Sequence, residues 1–339
     1  NPIGVSDEEF AESFNNLSIA ASENNYSISM LTSKTVPLTE KKVYELLVRE
    51  KNDQKYIDIK VTVAGNVDAG KSSLIGTLIS GQNDDGRGSS RLLVFNFKHE
   101  INNGRTSSIA HHILGFDSNG KIMNYEETNH SNSHRIEKKS WPDIVKKSSK
   151  IISFYDLCGH EKYLKTTILG LTSSFPDLCF IVIGANMGLT RMTHEHIFLC
   201  ATLKIPFVII VTKIDYEREN VLEKTTESIH KLLKLPGLRR IPYKVSNEDD
   251  VAICSKNIHS DSIVPIFYVS NVTGTGIDNL KRFLNLSTKS SYNSNIENKS
   301  VEYHIDTTFS VPGVPTITGG QLISGSIKIG DKLLLGPNN

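Results

Sequence analysis

The 339-residue sequence has few cysteines, no long apolar run and almost no net charge. Its cysteines form no C-x-x-C pair, which argues against a zinc ribbon or disulfide framework and favours reduced core residues in a cytoplasmic protein. No apolar stretch reaches the roughly 18 residues that a membrane span needs, so we expect neither a span nor a signal peptide. A formal charge of +1 means that the chain as a whole is not basic, so any contact with RNA must come from local basic patches. The cysteines are Cys158, Cys179, Cys200 and Cys254.

What the chain does have is a complete phosphate-binding loop, G-x-x-x-x-G-K-S, from Gly65 to Ser72. The β-branched run 57–64 before it predicts a strand, and the run 73–79 after it predicts a helix. Such a loop directs backbone N–H groups at one point, where the helix dipole adds positive potential. We expect Lys71 to reach the β- and γ-phosphates and the Ser72 hydroxyl to bind Mg²⁺. The expected nucleotide-binding residues of the loop are Asn66, Val67, Asp68, Ala69, Gly70, Lys71, Ser72 and Ser73.

A second strand-like run, 151–155, ends in the motif D-x-x-G formed by Asp156 and Gly159. A carboxylate at this strand end is expected to join the Mg²⁺ shell, and the Gly159 N–H to meet the γ-phosphate. Glycine permits the close backbone approach and the rearrangement that follows when that phosphate leaves.

Two further strand ends predict recognition of the base. The run 207–211 leads into Thr212-Lys213-Ile214-Asp215, where the Asp215 carboxylate is expected to accept hydrogen bonds from guanine N1–H and its 2-amino group. Adenine lacks both donors, which predicts discrimination on the order of 10⁴-fold. The run 265–269 leads into the loop Ser270, Asn271 and Val272, expected to contact the base through its backbone.

In this order, these motifs resemble those of the translational, elongation-factor-like GTPases, and within them the GTP-binding protein 1 and 2 subgroup. The resemblance spans roughly Val43 to the end of the chain. The closer match is carried by 65–72, 99–101, 104–108, 113–117, 156–167, 211–215 and 270–274.

The resemblance implies further roles. Thr106 matches the switch I threonine that binds Mg²⁺ and the γ-phosphate, and His160 matches the histidine that positions the attacking water. Asp68 matches an aspartate that helps to hold a monovalent cation in some members. Thr212 replaces the usual Asn, so we expect a weaker side-chain bridge to the P-loop. The catalytic set is therefore His160, Thr106, Lys71 and Gly159, and the metal set is Ser72, Thr106 and Asp156.

Strands alternating with helices predict an α/β P-loop NTPase domain with a mostly parallel sheet. We expect an N-terminal extension over 1–40, a GTP-binding domain over 41–288 with switch I within 81–140, and a linker over 289–298. Residues 299–339 are expected to begin an elongation-factor-like β-barrel that stops short of closure. Specific elements are helices near 6–14, 193–203, 219–233 and 276–286, a hairpin of strand 43–48 with the P-loop strand, an irregular stretch 81–140, and β pieces at 301–305, 307–311, 317 and 327–335.

The favoured function is hydrolysis of GTP to GDP and phosphate by a Mg²⁺-dependent switch, which makes the protein an enzyme. The resemblance implies partners such as the ribosome, tRNA or other RNA-associated machinery. The alternative is a scaffold that binds guanine nucleotide without hydrolysing it, and the presence of Thr106 and His160 favours the enzyme. No arginine finger is evident in the sequence, so we expect slow intrinsic turnover.

Overall fold

The computed structural model describes residues 4–36, 41–50, 56–130, 133–216, 219–260, 262–289, 300–310, 313 and 315–336. The chain divides into two compact units, Asn1–Thr288 and Lys289–Asn339. The strands of the first unit are β1 (Tyr26–Thr35), β2 (Lys42–Glu50), β3 (Ile57–Gly65), β4 (Ala110–Phe116), β5 (Tyr125–His130), β6 (Ser133–Lys138), β7 (Lys150–Asp156), β8 (Leu178–Gly184), β9 (Phe207–Thr212), β10 (Ile241–Lys244) and β11 (Ile263–Tyr268).

The helices of the first unit include the one that follows the phosphate-binding loop. They are α1 (Asp7–Glu23), α2 (Lys71–Ser80), α3 (Lys98–Asn103), α4 (Trp141–Lys147), α5 (Leu164–Ser173), α6 (Arg191–Thr202), α7 (Glu219–Leu233), α8 (Glu248–Asn257) and α9 (Ile277–Leu286). The predicted helix 219–233 agrees at both ends, and the predictions for α6 and α9 differ by one or two residues.

The main sheet has the strand order β10-β11-β9-β8-β3-β7-β4. All neighbouring pairs are parallel except β4 with β7, so the predicted mostly parallel sheet is confirmed. Apolar side chains of α2, α8 and α9 pack on one face, and those of α5, α6 and α7 pack on the other. Because both faces are covered, the central strands read as continuous apolar runs rather than alternating ones. The four cysteines are buried and unpaired, as predicted.

The predicted hairpin between β2 and the P-loop strand β3 is wrong. β2 pairs antiparallel with β1, a strand that the sequence reading missed. Both edges of β3 are occupied, by β7 on one side and β8 on the other, so β3 offers no edge to β2. The expected turn at 51–54 lies outside the described residues.

Helix α1 is also longer than predicted, with 17 residues instead of the nine expected near 6–14. Ser6 and Glu9 form a reciprocal capping box that fixes its beginning. No glycine or proline interrupts the chain from Val5 to Thr35, which lets the helix run on.

The stretch 81–140, expected to be irregular, contains regular elements. A 3-10 turn at Ser90–Leu93 and helix α3 lie in its first half, and strand β4 follows near its middle. Strands β5 and β6 then form a separate antiparallel hairpin. The hydrophobic periodicity did not reveal β4, because β4 is the edge strand of the sheet beside β7 and carries the polar His111 and His112.

The second unit contains the antiparallel strands β12 (Glu302–Phe309) and β13 (Ile317–Ser324). Two predicted β pieces merge into β12, with an irregularity between Ile305 and Thr307. The predicted strand 327–335 is not formed: Ile329 and Leu334 are fully exposed, and no described strand pairs with this segment. Linker residues 290–298 lie outside the described part. Among the described residues, no helix has both the length and the apolar character needed to cross a bilayer.

Candidate nucleotide-binding site

The P-loop connects β3 to α2 at the carboxyl edge of the sheet. Gly65 adopts φ 147°, and a Cβ there would lie 2.3 Å from the Val182 carbonyl oxygen of the neighbouring strand, so only glycine fits. Gly70, at φ 86°, takes the left-handed conformation that begins α2. These two bends bring Lys71 and Ser72 to the first turn of the helix, where unpaired N–H groups favour an anion.

Lys71 is buried and lies across the loop. Its ammonium donates to the carbonyl oxygens of Gly65 at 3.0 Å and Asn66 at 2.8 Å. Burial lowers the pKa of Lys71, while the charge of Asp156 opposes that change. Gly159 borders the same ammonium, since a Cβ at Gly159 would lie 2.4 Å from Lys71 Nζ. The D-x-x-G loop and the P-loop are therefore in direct contact.

The three residues of the expected metal set meet around one carboxylate. Ser72 Oγ donates to Asp156 Oδ2 at 2.5 Å, and Thr106 Oγ1 donates to the same oxygen at 3.3 Å. The two hydroxyl oxygens are 2.9 Å apart. Asp156 Oδ1 is buried and has no hydrogen-bond partner among the described residues, and burial raises the pKa of this carboxyl. An unpartnered buried carboxylate oxygen beside two hydroxyls suits a hard, oxygen-seeking cation.

Glu100 holds the segment that carries Thr106. Its Oε1 accepts from Ser107 N at 2.7 Å, Ser107 Oγ at 2.9 Å and Ser108 N at 3.3 Å. Its Oε2 accepts from the backbone at the start of α3. Burial alone raises the pKa of Glu100, but these hydrogen bonds outweigh it and hold that pKa below its ordinary value. The sequence marked Glu100 only as part of a matching motif and assigned it no role.

His160 is exposed and follows the D-x-x-G loop. Its Nδ1 accepts from Lys162 N–H at 3.1 Å, so the neutral ring carries its proton on Nε2. The neighbouring Glu161 forms an ion pair with Arg191 at 3.9 Å, and both side chains are largely exposed.

A cavity of about 650 Å³ joins these groups. Predicted residues that line it are Val67, Asp68, Gly70, Lys71, Ser72, Ser73, Thr106, Gly159, His160 and Lys213. Lining residues that the sequence reading did not single out include Asp84, Gly86, Arg87, Gly88 and Arg91. Two glycines flanking one arginine are the signal that could have drawn attention to this segment.

Of the expected base-reading residues, Lys213 lines this cavity, and the others lie outside its lining: Thr212, Asp215, Ser270, Asn271 and Val272. Asp215 is exposed. In the loop from Ser270 to Val272, Ser270 Oγ accepts a hydrogen bond from Val272 N at 3.2 Å. Both Thr212 and Asn271 border Gly70, at 3.6 Å and 3.5 Å from the position of a Cβ there. These contacts connect the base side to the P-loop.

Thr212 does form a side-chain bridge to the P-loop, and that this bridge is weaker than one from Asn stays a prediction. Thr212 is fully buried, and its hydroxyl donates to the Ala69 carbonyl at 2.6 Å and approaches the Ile183 carbonyl at 3.3 Å. The shorter side chain succeeds because it reaches a backbone oxygen of the P-loop itself. For the cation expected near Asp68, the described residues hold no cluster of three or more acidic, His or Cys ligands.

Comparison with known proteins agrees with this geometry. Residues 58–290 match the family described as Elongation factor Tu GTP binding domain. The chain is 47% identical over 298 residues to GTP-binding protein 1 of Xenopus laevis, covering 88% of this chain and 44% of that protein. It is 39% identical over 345 residues to human GTP-binding protein 2, covering 99% of this chain and 56% of that protein. The chain thus spans about half the length of these curated relatives.

Among solved structures, a bacterial selenocysteine-specific elongation factor matches with a TM-score of 0.51 and 24% identity, over 82% of this chain and 36% of that one. At that sequence identity, the match is evidence for the fold alone. Sheet order, P-loop and strand-end motifs define a P-loop nucleotide-binding domain of the G-domain class. The chain belongs to the Elongation factor Tu GTP binding domain family.

Proposed function

We propose that the chain binds GTP and GDP and hydrolyses GTP to GDP and phosphate as a Mg²⁺-dependent molecular switch. The observation that carries the proposal is the meeting of Ser72, Thr106 and Asp156, with Ser72 Oγ 2.5 Å from Asp156 Oδ2. The three residues come from the P-loop, switch I and the D-x-x-G loop. The segments expected to contact the γ-phosphate thus meet at one buried carboxylate. This arrangement favours a nucleotide switch over a cluster that only stabilises the fold.

Ser72, Thr106 and Asp156 would hold Mg²⁺, and the free Asp156 Oδ1 fits this role. When bound, Mg²⁺ neutralises charge on the β- and γ-phosphate oxygens. The chain itself contributes the backbone N–H groups of the loop from Asn66 to Ser73 and the Lys71 ammonium. We also propose that Asp68 helps to hold a monovalent cation.

On the base side, Asp215 would accept from N1–H and the 2-amino group of guanine, supported by Thr212 and Lys213. Lys213 has a left-handed backbone conformation, with φ 61°, and is one of the residues that line the cavity. The loop from Ser270 to Val272 would contact the base, and the buried Asn271 Oδ1, which has no partner among the described residues, is suited to a ligand donor.

For hydrolysis, His160 would orient the attacking water. Because Lys162 N–H occupies Nδ1, the Nε2–H of the neutral ring is the group available to a water in the cavity. The N–H groups of Thr106 and Gly159 would contact the γ-phosphate and be released when it leaves. Little proton transfer by the protein is required, since positioning and electrostatics dominate phosphoryl transfer.

Single-turnover hydrolysis tests the enzyme against the non-hydrolysing scaffold. We expect His160→Ala to keep GTP affinity and to slow hydrolysis, with His194→Ala, which is on α6 and outside the cavity lining, as the matched control. Lys71→Ala should abolish binding of both nucleotides. Wild-type protein that binds GTP but releases no phosphate, alone or with ribosomes, would leave the scaffold as the function. Equal rates for His160→Ala and wild type would remove His160 from its role.

For partners, we propose the ribosome, tRNA or other RNA-associated machinery in the cytoplasm, supported by membership in a family named for an elongation factor. In this proposal residues 41–288 form the GTP-binding domain after the 1–40 extension. The 289–298 linker then leads into the start of a β-barrel over 299–339. Stimulation of hydrolysis by ribosomes but not by free RNA would support the ribosome as partner, and no stimulation by either would count against this assignment.

A further inference from the structure

The segment 84–91, next to the P-loop cavity, is organised around one buried carboxylate. Asp84 Oδ2 accepts from Gly86 N at 3.2 Å and Gly88 N at 3.1 Å. Asp84 Oδ1 accepts from Ser90 N at 2.8 Å. Asp84 is only 8% exposed, so these bonds are shielded from water. The segment is therefore a loop of fixed shape rather than a loose connection.

Both ends of this loop are attached to the nucleotide site. At one end, Asp84 N–H donates to the Asn271 carbonyl at 2.8 Å, on the base side. At the other end, Arg91 Nη1 donates to the Gly104 carbonyl at 3.4 Å, two residues before Thr106. The loop consequently spans the site from the base side to switch I.

Arg87 lies at the middle of this loop, between Gly86 at φ 79° and Gly88 at φ 90°. Its backbone N–H donates to Asp85 Oδ1 at 2.8 Å, which fixes the turn. Arg87 is exposed and is one of the residues that line the cavity, together with Lys71 and His160. No described residue forms a hydrogen bond or ion pair with its guanidinium, whereas Arg91 is already engaged by Gly104.

We propose that Arg87 is a phosphate ligand of the nucleotide site, supplied in cis, which binds the diphosphate common to GTP and GDP. The proposal rests on the proposed function. A guanidinium recognises phosphate oxygens with two parallel hydrogen bonds and keeps its charge at every physiological pH. The position between the base-side anchor and the switch I anchor selects the α- and β-phosphates, which lie between base and γ-phosphate in the nucleotide.

Titration of fluorescent GDP and GTP against Arg87→Ala tests this assignment. We expect both affinities to fall by the same factor, about tenfold to hundredfold, because one charge-assisted contact is lost in each complex. Arg87→Lys should recover part of the loss, since the charge stays and the two-pronged geometry does not. Arg239→Ala, which removes an arginine outside the cavity lining, should change neither affinity. Arg87→Ala removes no side-chain hydrogen bond or ion pair with a described residue, so its unfolding temperature should stay close to that of wild type.

Lys71→Ala is measured beside these variants to separate two kinds of failure. If wild type binds neither nucleotide, the proposed function falls. If wild type binds and Lys71→Ala does not, while Arg87→Ala matches wild type, the Arg87 assignment is wrong and the proposed function stands. If Arg87→Ala weakens GTP but not GDP, the arginine reads the γ-phosphate, and the assignment to the diphosphate is overturned.

Discussion

Replacing Thr212 by Val tests whether a threonine can bridge the base side to the P-loop. The substitution keeps the branched shape and removes the hydroxyl that donates to the Ala69 carbonyl at 2.6 Å and approaches Ile183 at 3.3 Å. The site is fully buried, so water cannot replace the lost donor at Ala69. A buried polar group left unpaired costs about 1–3 kcal/mol, and we expect Thr212→Val to lower the free energy of unfolding by that amount.

The same bond holds the P-loop carbonyl in place, so nucleotide affinity should also fall, by up to about tenfold for GDP. The second contact, at 3.3 Å, is longer and adds less. Both effects act on GTP and GDP alike, because Ala69 belongs to the loop that holds the phosphates common to the two nucleotides.

Thr62 on β3 offers a matched control. It is equally buried, yet its Oγ1 has no hydrogen-bond partner among the described residues. Thr62→Val should therefore be neutral or stabilising, because it removes an unpaired buried hydroxyl. Urea unfolding of both variants, with GDP titration alongside, measures the difference. Equal stabilities for Thr212→Val and Thr62→Val would show that the Ala69 bond contributes nothing and would refute the reasoning.

The remaining predictions concern base choice, a steric limit and a buried histidine. Asp215→Asn should weaken GTP and gain xanthosine triphosphate in competition binding, since the amide then matches the xanthine carbonyl; a variant that still prefers GTP would contradict the base assignment. Gly159→Ala should weaken nucleotide binding at least about tenfold, because its Cβ would lie 2.7 Å from the Gly65 carbonyl oxygen, whereas Gly237→Ala, with its nearest atom at 3.8 Å, should not. Burial lowers the pKa of His196 from 6.5 to about 4. Below pH 6.5 the unfolded state therefore binds a proton that the folded state does not, and the free energy of unfolding should decrease by up to about 3 kcal/mol between pH 6.5 and pH 4. His196→Leu should remove that dependence in urea unfolding measured across this range, and an unchanged slope would assign it to other groups.

The sequence predicted best the features that depend on local pattern. The P-loop strand and the helix 219–233 follow from apolar periodicity and breaker residues, and they agree with the structure. Pairing partners were harder, because a strand pattern does not say which edge is vacant. β2 joins β1 because β3 is already flanked on both sides, a fact that only the whole sheet decides.

The site divides in the same way. Fixed-spacing motifs marked Lys71, Asp156 and Asp215 without any knowledge of contacts. The sequence did not predict the roles of Glu100 and Asp84. Each carboxylate accepts hydrogen bonds from several backbone N–H groups, and no spacing rule identifies a carboxylate that does so. The motif also marked Thr212, but its hydrogen-bond partner was not predictable, since that partner is a carbonyl oxygen 143 residues away in sequence.

The contacts of Lys71 show why further positive side chains at the cavity matter for phosphate binding. A lysine ammonium has three donors, and two of them are engaged by the Gly65 and Asn66 carbonyls. That leaves one N–H for a phosphate, so in the proposed complex Lys71 would act more through its charge and its contacts with the loop than through many direct bonds. A nucleoside diphosphate or triphosphate carries several negative charges, so each further positive group at the cavity adds to the attraction that Lys71 exerts. In our proposal, Arg87 adds positive charge to this cavity from a loop whose shape depends on Asp84 and not on the nucleotide.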